Sequence, residues 1–235
     1  MKIPALQVSG LTSGYKSSVV LRDLSLIVNG GEAVALLGKN GMGKSTLLKS
    51  IMGFLPKRAG VVRLNDLDIT RMAPHQICRA GLGYAAQEQA LFADLSVRDN
   101  LCLAMGSDKV FDERFRAIET LFPVFKSRLK QYAGSLSGGE QKMLLVARIL
   151  MAQPSVILLD EITEGLQPTV IQAIAAALKW EREQRGTAML VVEQNVAFAL
   201  KVSDRYLVLK QGEVVDEGSS RNAQAAKAIF EHLRV

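Results

Sequence analysis

Long hydrophobic runs are missing from this sequence of 235 residues. A helix that crosses a membrane needs about 18–20 consecutive apolar residues, and every apolar run here is much shorter. The first residues, MKIPAL, also lack the apolar core and the cleavage site of a signal peptide. From these absences we expect a cytoplasmic protein, and any role at a membrane would then depend on a partner.

Cysteine and histidine are scarce, with two residues of each. Cys78 and Cys102 form neither a C-x-x-C pair nor a zinc-binding spacing, so we expect both thiols to be reduced. His75 and His232 have no cluster of other potential ligands near them, and the sequence therefore assigns them no metal. The sequence therefore argues against two classes of protein, those held together by disulfides and those built around zinc.

Neither sign of charge dominates the composition, although 29 basic and 23 acidic residues leave a formal net charge of +6. This surplus suits an anionic membrane surface or a nucleic acid, and it equally suits an ordinary, mildly basic surface. No basic run has aromatic residues interleaved with it, so we expect no nucleic-acid partner. Hydrophobic residues make up 49% of the chain, which at this length is enough for one well-buried α/β core.

The most informative stretch is GKNGMGKST, residues 38–46, which fits the phosphate-binding pattern G-x-x-x-x-G-K-[ST] of a P-loop. An apolar run at residues 33–37 precedes it and a helical pattern follows it, as this motif requires. Its glycines let backbone N–H groups converge on phosphate oxygens, while Lys44 reaches the terminal phosphates and Ser45 offers a hydroxyl to Mg²⁺. The residues predicted to bind the nucleotide here are Gly38, Asn40, Gly41, Gly43, Lys44, Ser45 and Thr46.

A second apolar run, residues 156–159, ends in the two carboxylates Asp160 and Glu161. The run is typical of a buried parallel strand, and open α/β sheets bind ligands at the carboxyl ends of such strands. On its own, an apolar strand that ends in Asp-Glu more often ends in solvent. With the P-loop upstream, we expect Asp160 to help Ser45 hold Mg²⁺ and Glu161 to act as the general base that polarises the attacking water.

A third motif, LSGGEQ at residues 136–141, opens a long helical pattern. Ser137, Gly138 and Gly139 place a hydroxyl and N–H groups at a helix start, which is a second anion site or, taken alone, an ordinary helix cap. An LSGGEQ motif between a P-loop and a strand that ends in Asp-Glu resembles the signature motif of the ATP-binding cassette (ABC) transporter ATPases. This resemblance covers nearly the whole chain.

The resemblance implies an α/β fold with a P-loop NTPase core, a β-rich antiparallel subdomain and an inserted α-helical subdomain. We expect one ABC ATPase domain over residues 1–235, with the helical subdomain at about 88–153 and the signature helix at its end. The resemblance also implies that two cassettes pair head to tail, so that Ser137, Gly138 and Gly139 of one contact the ATP of the other.

Two further residues match functional positions of ABC ATPases. Tyr15, in the segment SGY, matches the aromatic residue that stacks on adenine, although it is also consistent with an ordinary loop tyrosine. Gln87 matches the loop glutamine that touches Mg²⁺ and the attacking water and that couples the ATPase to a membrane subunit. The resemblance therefore adds Tyr15 and Gln87 to the ATP site and Gln87 to the metal ligands.

Two segments depart from the common ABC pattern. Gln194, after the apolar run at 188–192, stands where a switch histidine is usual, so this catalytic position cannot become cationic near neutral pH. We expect this difference to slow hydrolysis at the site. Ile162 and Gln167 stand where proline and aspartate are usual. Together, EGLQP and VEQN resemble the ATPases of importers for branched-chain amino acids, urea or short-chain amides.

The sequence thus predicts an ATPase that powers an ABC importer from the inner face of the cell membrane, with ATP and Mg²⁺ as its ligands. Its expected partners are a second ABC ATPase subunit, identical or related, a polytopic membrane permease and, indirectly, a periplasmic solute-binding protein. Two alternatives stay open. One is an ABC ATPase without a transport role, such as one in cluster assembly, and the other is a regulatory protein that binds ATP as a switch.

Overall fold

A computed structural model of the protein describes residues 4–87 and 91–234. These residues form ten strands in two sheets and eight α-helices. The strands are β1 (Pro4–Ser13), β2 (Leu21–Asn29), β3 (Ala33–Leu37), β4 (Lys57–Leu64), β5 (Leu67–Asp68), β6 (Leu82–Ala85), β7 (Val156–Asp160), β8 (Ala188–Glu193), β9 (Arg205–Lys210) and β10 (Glu213–Ser219). The helices are α1 (Lys44–Ile51), α2 (Pro74–Arg79), α3 (Val97–Cys102), α4 (Phe111–Leu121), α5 (Gly138–Ala152), α6 (Pro168–Arg185), α7 (Val196–Val202) and α8 (Ala225–Leu233).

The larger sheet has the strand order β10-β9-β3-β8-β7-β6. Its strands pair in parallel from β9 to β6, and β10 pairs with β9 in antiparallel fashion. Every residue of β3, β7 and β8 is buried, which agrees with their apolar sequences because a parallel sheet is covered on both faces. The carboxyl ends of these three strands lie side by side, since Leu37 pairs with Glu193 and Asp160 with Val192.

The smaller sheet is antiparallel and has the order β2-β1-β4-β5. In β2, buried Leu24, Leu26 and Val28 alternate with exposed residues, as expected for a strand with one face in the core. These three side chains share a hydrophobic core with Leu47 and Leu48 of α1 and with one face of the larger sheet. The small sheet thereby fixes α1, the helix that follows the P-loop.

The described chain between β6 and β7 is dominated by helices, as the sequence predicts. Helices α3, α4 and α5 contribute to one buried core. The aromatic members of this core are Phe111, Phe115, Phe122, Phe125 and, from α7, Phe198. The predicted start of the helical segment, near residue 88, lies outside the described residues, and its last helix ends at Ala152.

The predicted α/β class, with an antiparallel sheet beside a mainly parallel one and an added helical region, is confirmed. The longest helix, α6, has 18 residues and carries several charged side chains. Within residues 4–87 and 91–234, none of the helices combines the length and the apolar character that spanning a bilayer requires.

Candidate functional site

The P-loop turns from β3 into α1 on two glycines with left-handed backbone conformations. Gly41 has φ of 79° and Gly43 has φ of 104°, values that other residues rarely adopt. Gly38 is needed for a different reason, because a Cβ there would lie 2.6 Å from the carbonyl oxygen of Leu209 in β9. The local sequence therefore shapes a backbone cradle at the N-terminus of α1, where unpaired N–H groups attract anions.

A pocket lies over this cradle at the carboxyl edge of the larger sheet. It collects the predicted nucleotide-binding residues of the P-loop except Gly38, and it adds four residues from other segments. Tyr15 is 44% exposed, so its ring is available to stack on a planar group. The residues lining the pocket are Tyr15, Val20, Asn40, Gly41, Gly43, Lys44, Ser45, Thr46, Gln87 and Glu161.

Lys44 is almost fully buried in the wall of this pocket. Its ammonium donates hydrogen bonds to the carbonyl oxygens of Gly38 (2.7 Å) and Lys39 (3.0 Å). It also lies 3.1 Å from Oε1 of Glu161. Three acceptors thus fix one cation beside the backbone N–H groups of the loop. The arrangement can bind a polyphosphate, because a positive charge and several N–H donors converge on the same space.

Asp160, at the end of β7, accepts hydrogen bonds from the hydroxyls of Ser45 (3.0 Å) and Tyr84 (3.2 Å). Burial raises the pKa of the Asp160 carboxyl, and the two hydrogen bonds oppose that rise. Burial also raises the pKa of the Tyr84 hydroxyl, with the nearby Asp160 charge as a further cause. Hydroxyl and carboxylate oxygens are ligands that Mg²⁺ prefers, so the Ser45–Asp160 pair fits this ion.

Glu161 has a left-handed backbone conformation with φ of 48°, which costs of the order of 1–3 kcal/mol in a residue other than glycine. Its side chain is buried, and its Oε2 accepts hydrogen bonds from the amides of Gln194 (2.7 Å) and Gln87 (3.3 Å). With Lys44 at Oε1, both carboxylate oxygens are held in place. A carboxylate held beside a phosphate-binding loop can orient and deprotonate a water molecule.

Two departures from the common ABC pattern, Ile162 and Gln167, lie in the segment that follows Glu161. Ile162 is completely buried in the core that includes α5 and α6. Gln167 is exposed and stands directly before α6, which begins with Pro168. Proline is favoured at the first position of a helix, so this loop ends where its sequence predicts.

Gln87 connects the pocket with the helical region. Its amide also donates to Glu164 (2.9 Å), and its backbone carbonyl accepts a hydrogen bond from Lys142 of α5 (2.7 Å). Glu164, Lys142 and Tyr84 were not predicted as site residues, because Lys142 and Tyr84 belong to no motif and Glu164 was considered only as the first residue of EGLQP. Knowing that β6 lies beside β7 would have suggested Tyr84 as a neighbour of the Asp160 carboxylate.

Ser137 is the N-cap of α5, as predicted. Its N–H and its hydroxyl both donate to Oε2 of Glu140 (2.9 Å each), and Arg128 lies 2.8 Å from the other oxygen of Glu140. Ser137, Gly138 and Gly139 are not among the residues lining the P-loop pocket in the described parts of the chain. Ser137 and Gly138 are exposed, so this cap is accessible to another molecule.

A comparison with protein families matches residues 21–164 to the family described as ABC transporter. The matched segment contains the P-loop, the LSGGEQ motif and the Asp160–Glu161 pair. The match therefore spans more than half of the chain and includes the motifs from which the site was predicted.

Individual relatives are similar over almost their whole length. The chain is 37% identical over 213 residues to a probable branched-chain amino acid transport ATP-binding protein, LivF, of Archaeoglobus fulgidus, with 89% of this chain and 90% of that protein covered. It is 37% identical over 218 residues to the lipopolysaccharide export system ATP-binding protein LptB of Escherichia coli K12, with 91% and 90% covered. A solved structure of an ATP-binding subunit of an ABC transporter gives a TM-score of 0.83 at 26% identity, with 98% of this chain and 95% of that chain covered.

Proposed function

Because this chain belongs to the ABC transporter family, whose ATPase domains couple ATP hydrolysis to transport, we propose that it is the ATPase subunit of an importer for branched-chain amino acids or a related small polar solute. One observation above all supports the assignment of hydrolysis. Lys44 of the P-loop and the Gln194 amide both contact the carboxylate of Glu161, so a phosphate-binding cation and an oriented base lie together.

The proposed solute class is supported by sequence and by similarity. EGLQP and VEQN resemble the importer ATPases named above, and LivF is named for branched-chain amino acid transport. LptB, named for lipopolysaccharide export, has the same 37% sequence identity to this chain as LivF has. An export system is therefore the second candidate. A cluster-assembly ATPase is less well supported, because that group usually keeps histidine where this chain has Gln194.

In the proposed ATP site, the backbone N–H groups of the P-loop and the Lys44 ammonium hold the phosphates, and Tyr15 stacks on the adenine. Ser45, Asp160 and Gln87 would hold Mg²⁺, which when bound offsets negative charge on the phosphates. Asp160 is already oriented toward Ser45 by their hydrogen bond.

In the proposed reaction, Glu161 accepts the proton of the attacking water at one of its carboxylate oxygens. The amides of Gln194 and Gln87 donate to Oε2 and limit the rotation of the carboxylate. Gln194 stays neutral at any pH near 7, so it orients the base without adding a positive charge to the site.

We also propose that two subunits close on the nucleotides, so that Ser137, Gly138 and Gly139 of each contact the ATP held by the other. The exposure of this cap and its absence from the pocket of its own chain support this arrangement. A polytopic permease would contact the ATPase near Gln87 at the inner face of the membrane, and a periplasmic solute-binding protein would supply the solute to that permease.

The proposal is tested on the assembled transporter. We expect the tagged chain to copurify with a polytopic permease from its own host. In proteoliposomes, a solute-binding protein loaded with a branched-chain amino acid should accelerate ATP hydrolysis by the complex. A complex with Glu161→Gln is the matched control and should keep its permease while losing about 100-fold or more of its turnover.

Each other outcome points to a different function. Acceleration by lipopolysaccharide instead of an amino acid would support the export system. Recovery of an active ATPase without any permease would contradict a role in transport. Absence of phosphate release from the complex would leave only the ATP-switched regulator.

A further inference from the structure

Glu193, the last residue of β8, is a carboxylate that the proposed reaction does not use. It is 2% exposed, and its oxygens accept hydrogen bonds from the backbone N–H (3.1 Å) and the hydroxyl (2.9 Å) of Thr163. Thr163 is itself 4% exposed. The pair therefore joins two buried segments, the end of β8 and the loop that follows β7.

A carboxylate is an unfavourable group with which to hold a buried loop. Its removal from water is opposed strongly unless donors or a cation compensate it. Over residues 4–87 and 91–234, no basic side chain forms an ion pair with Glu193. Burial raises the pKa of Glu193 to about 7 even though Thr163 donates two hydrogen bonds to it. An apolar or amide contact would hold the loop with a smaller penalty, so the carboxylate indicates a role beyond holding it.

Both members of the pair are close in the chain to the proposed catalytic residues. Gln194 directly follows Glu193, and Thr163 lies two positions after Glu161. Because the Gln194 amide donates to Oε2 of Glu161 (2.7 Å), the contact between Thr163 and Glu193 closes a ring that contains the base. Next to this ring, the N–H of Glu161 donates to the carbonyl oxygen of Val192 (2.9 Å).

We propose that Glu193 and Thr163 form a positioning pair that fixes the Gln194 amide on the Glu161 carboxylate and thereby orients the base. This inference rests on the proposed function of Glu161. If the pair is broken, the base remains but its oxygen shifts from the position that water attack requires, and small shifts of this kind lower rates strongly. Neither Glu193 nor Thr163 lines the described P-loop pocket, so the affinity for ATP should stay the same.

The chain offers a matched control for this proposal. Thr187, immediately before β8, donates a hydrogen bond (3.0 Å) to Glu181, and both side chains are buried. This second threonine–glutamate pair lies at the opposite end of the same strand from Glu193. Breaking it removes the same kind of hydrogen bond without touching the ring around Glu161.

The experiment compares Thr163→Val with Thr187→Val in ATP hydrolysis by the assembled complex. We expect similar decreases in Tm for the two variants, because each loses one buried hydroxyl donor. Only Thr163→Val should lower kcat, by about tenfold or more, while the KM for ATP stays within about twofold. Thr163→Ser keeps the hydroxyl and should restore kcat.

A second comparison changes Glu193 instead of Thr163. It replaces the first comparison if Thr163→Val does not fold. Glu193→Asp keeps the charge but shortens the side chain by one methylene, and Glu181→Asp does the same in the control pair. We expect only Glu193→Asp to lower kcat at unchanged KM.

The possible failures can be told apart. If Glu161→Gln abolishes hydrolysis but Thr163→Val and Thr187→Val have equal kcat at a temperature where both are folded, this inference alone is overturned. The same holds if Glu193→Asp and Glu181→Asp have equal kcat. If wild type releases no phosphate, or if Glu161→Gln hydrolyses ATP as fast as wild type, the proposed function fails and this inference with it.

Discussion

At the scale of single residues, two neighbouring carboxylates differ in the groups that compensate their charge. Glu161 is paired with the Lys44 ammonium and accepts hydrogen bonds from two amides. Among the described residues, the donors to Glu193 are neutral, and burial raises its pKa to about 7. The same chemical group can therefore serve as a base at one position and as a positioning group at the other.

Because the pKa of Glu193 is raised, we expect the free energy of unfolding to depend on pH. Its pKa is 4.5 in a model peptide and about 7 in the folded protein, so the folded state binds this proton more tightly than the unfolded state does. The free energy of unfolding should fall as the pH rises from about 4.5 through about 7. Glu193→Gln removes this titration, so its free energy of unfolding relative to wild type should rise by up to about 2 kcal/mol between about pH 5 and about pH 8.

Urea unfolding of both proteins at the two pH values measures this difference. Other titrating groups are common to both proteins, so their contributions cancel in the comparison. A difference between wild type and Glu193→Gln that stays constant over this range would show that Glu193 does not titrate there.

At the scale of elements, the P-loop depends on how closely β9 approaches the end of β3. The two strands pair in parallel up to Leu37 and Val208, and the next residue of the P-loop strand is Gly38. A side chain at Gly38 would meet the carbonyl oxygen of Leu209 at 2.6 Å. The shape of the cradle is thus set by a neighbouring strand as well as by the motif.

Gly38→Ala should therefore force β9 and the P-loop apart. We expect the free energy of unfolding to fall by about 1–3 kcal/mol, as for other overpacked sites, and the affinity for ATP to fall with it. Gly30→Ala is the control, because in the described structure no atom beyond Gly30 and its two chain neighbours lies within 4 Å of the Cβ it would introduce. Equal stability of the two variants in urea unfolding would contradict the close approach of β9.

The elements that the sequence revealed are those with a long, regular pattern. Strands β3, β7 and β8 were evident from uninterrupted apolar runs, and α5 from the apolar residues after LSGGEQ. Helices α2 and α3 have six residues each. Helix α2 was not predicted, and α3 was predicted only as part of the helical segment at about 88–153, because so few residues show too little of a helical period. The strand order β3-β8-β7 could not be predicted either, since the residue pattern of a strand does not specify which strands lie beside it.

The same reason limits what could be predicted of the site. The P-loop residues are contiguous, so one motif identified them together. Gln87 and Gln194 were identified only through the resemblance to ABC ATPases. The contact between Thr163 and Glu193 joins positions 30 residues apart. No sequence pattern links these two positions, so the contact could not be predicted before the fold was known.

At the scale of the whole molecule, the residues proposed to act on ATP lie on two separate surfaces. One surface is the P-loop pocket, which contains Lys44 and Glu161. The other is the exposed cap at Ser137, which is absent from the described lining of that pocket. We therefore expect a complete site to need a second subunit whose cap covers the first subunit's nucleotide.

Mixing two defective chains tests this central claim most directly. Lys44→Ala removes the phosphate-binding cation but keeps the Ser137 cap, whereas Ser137→Arg blocks the cap but keeps the P-loop. Each variant alone should hydrolyse ATP very slowly, and the mixture should regain turnover, because one intact P-loop then meets one intact cap in the mixed pair. Wild-type turnover by Ser137→Arg alone would contradict the account, since the site would then be complete within a single chain.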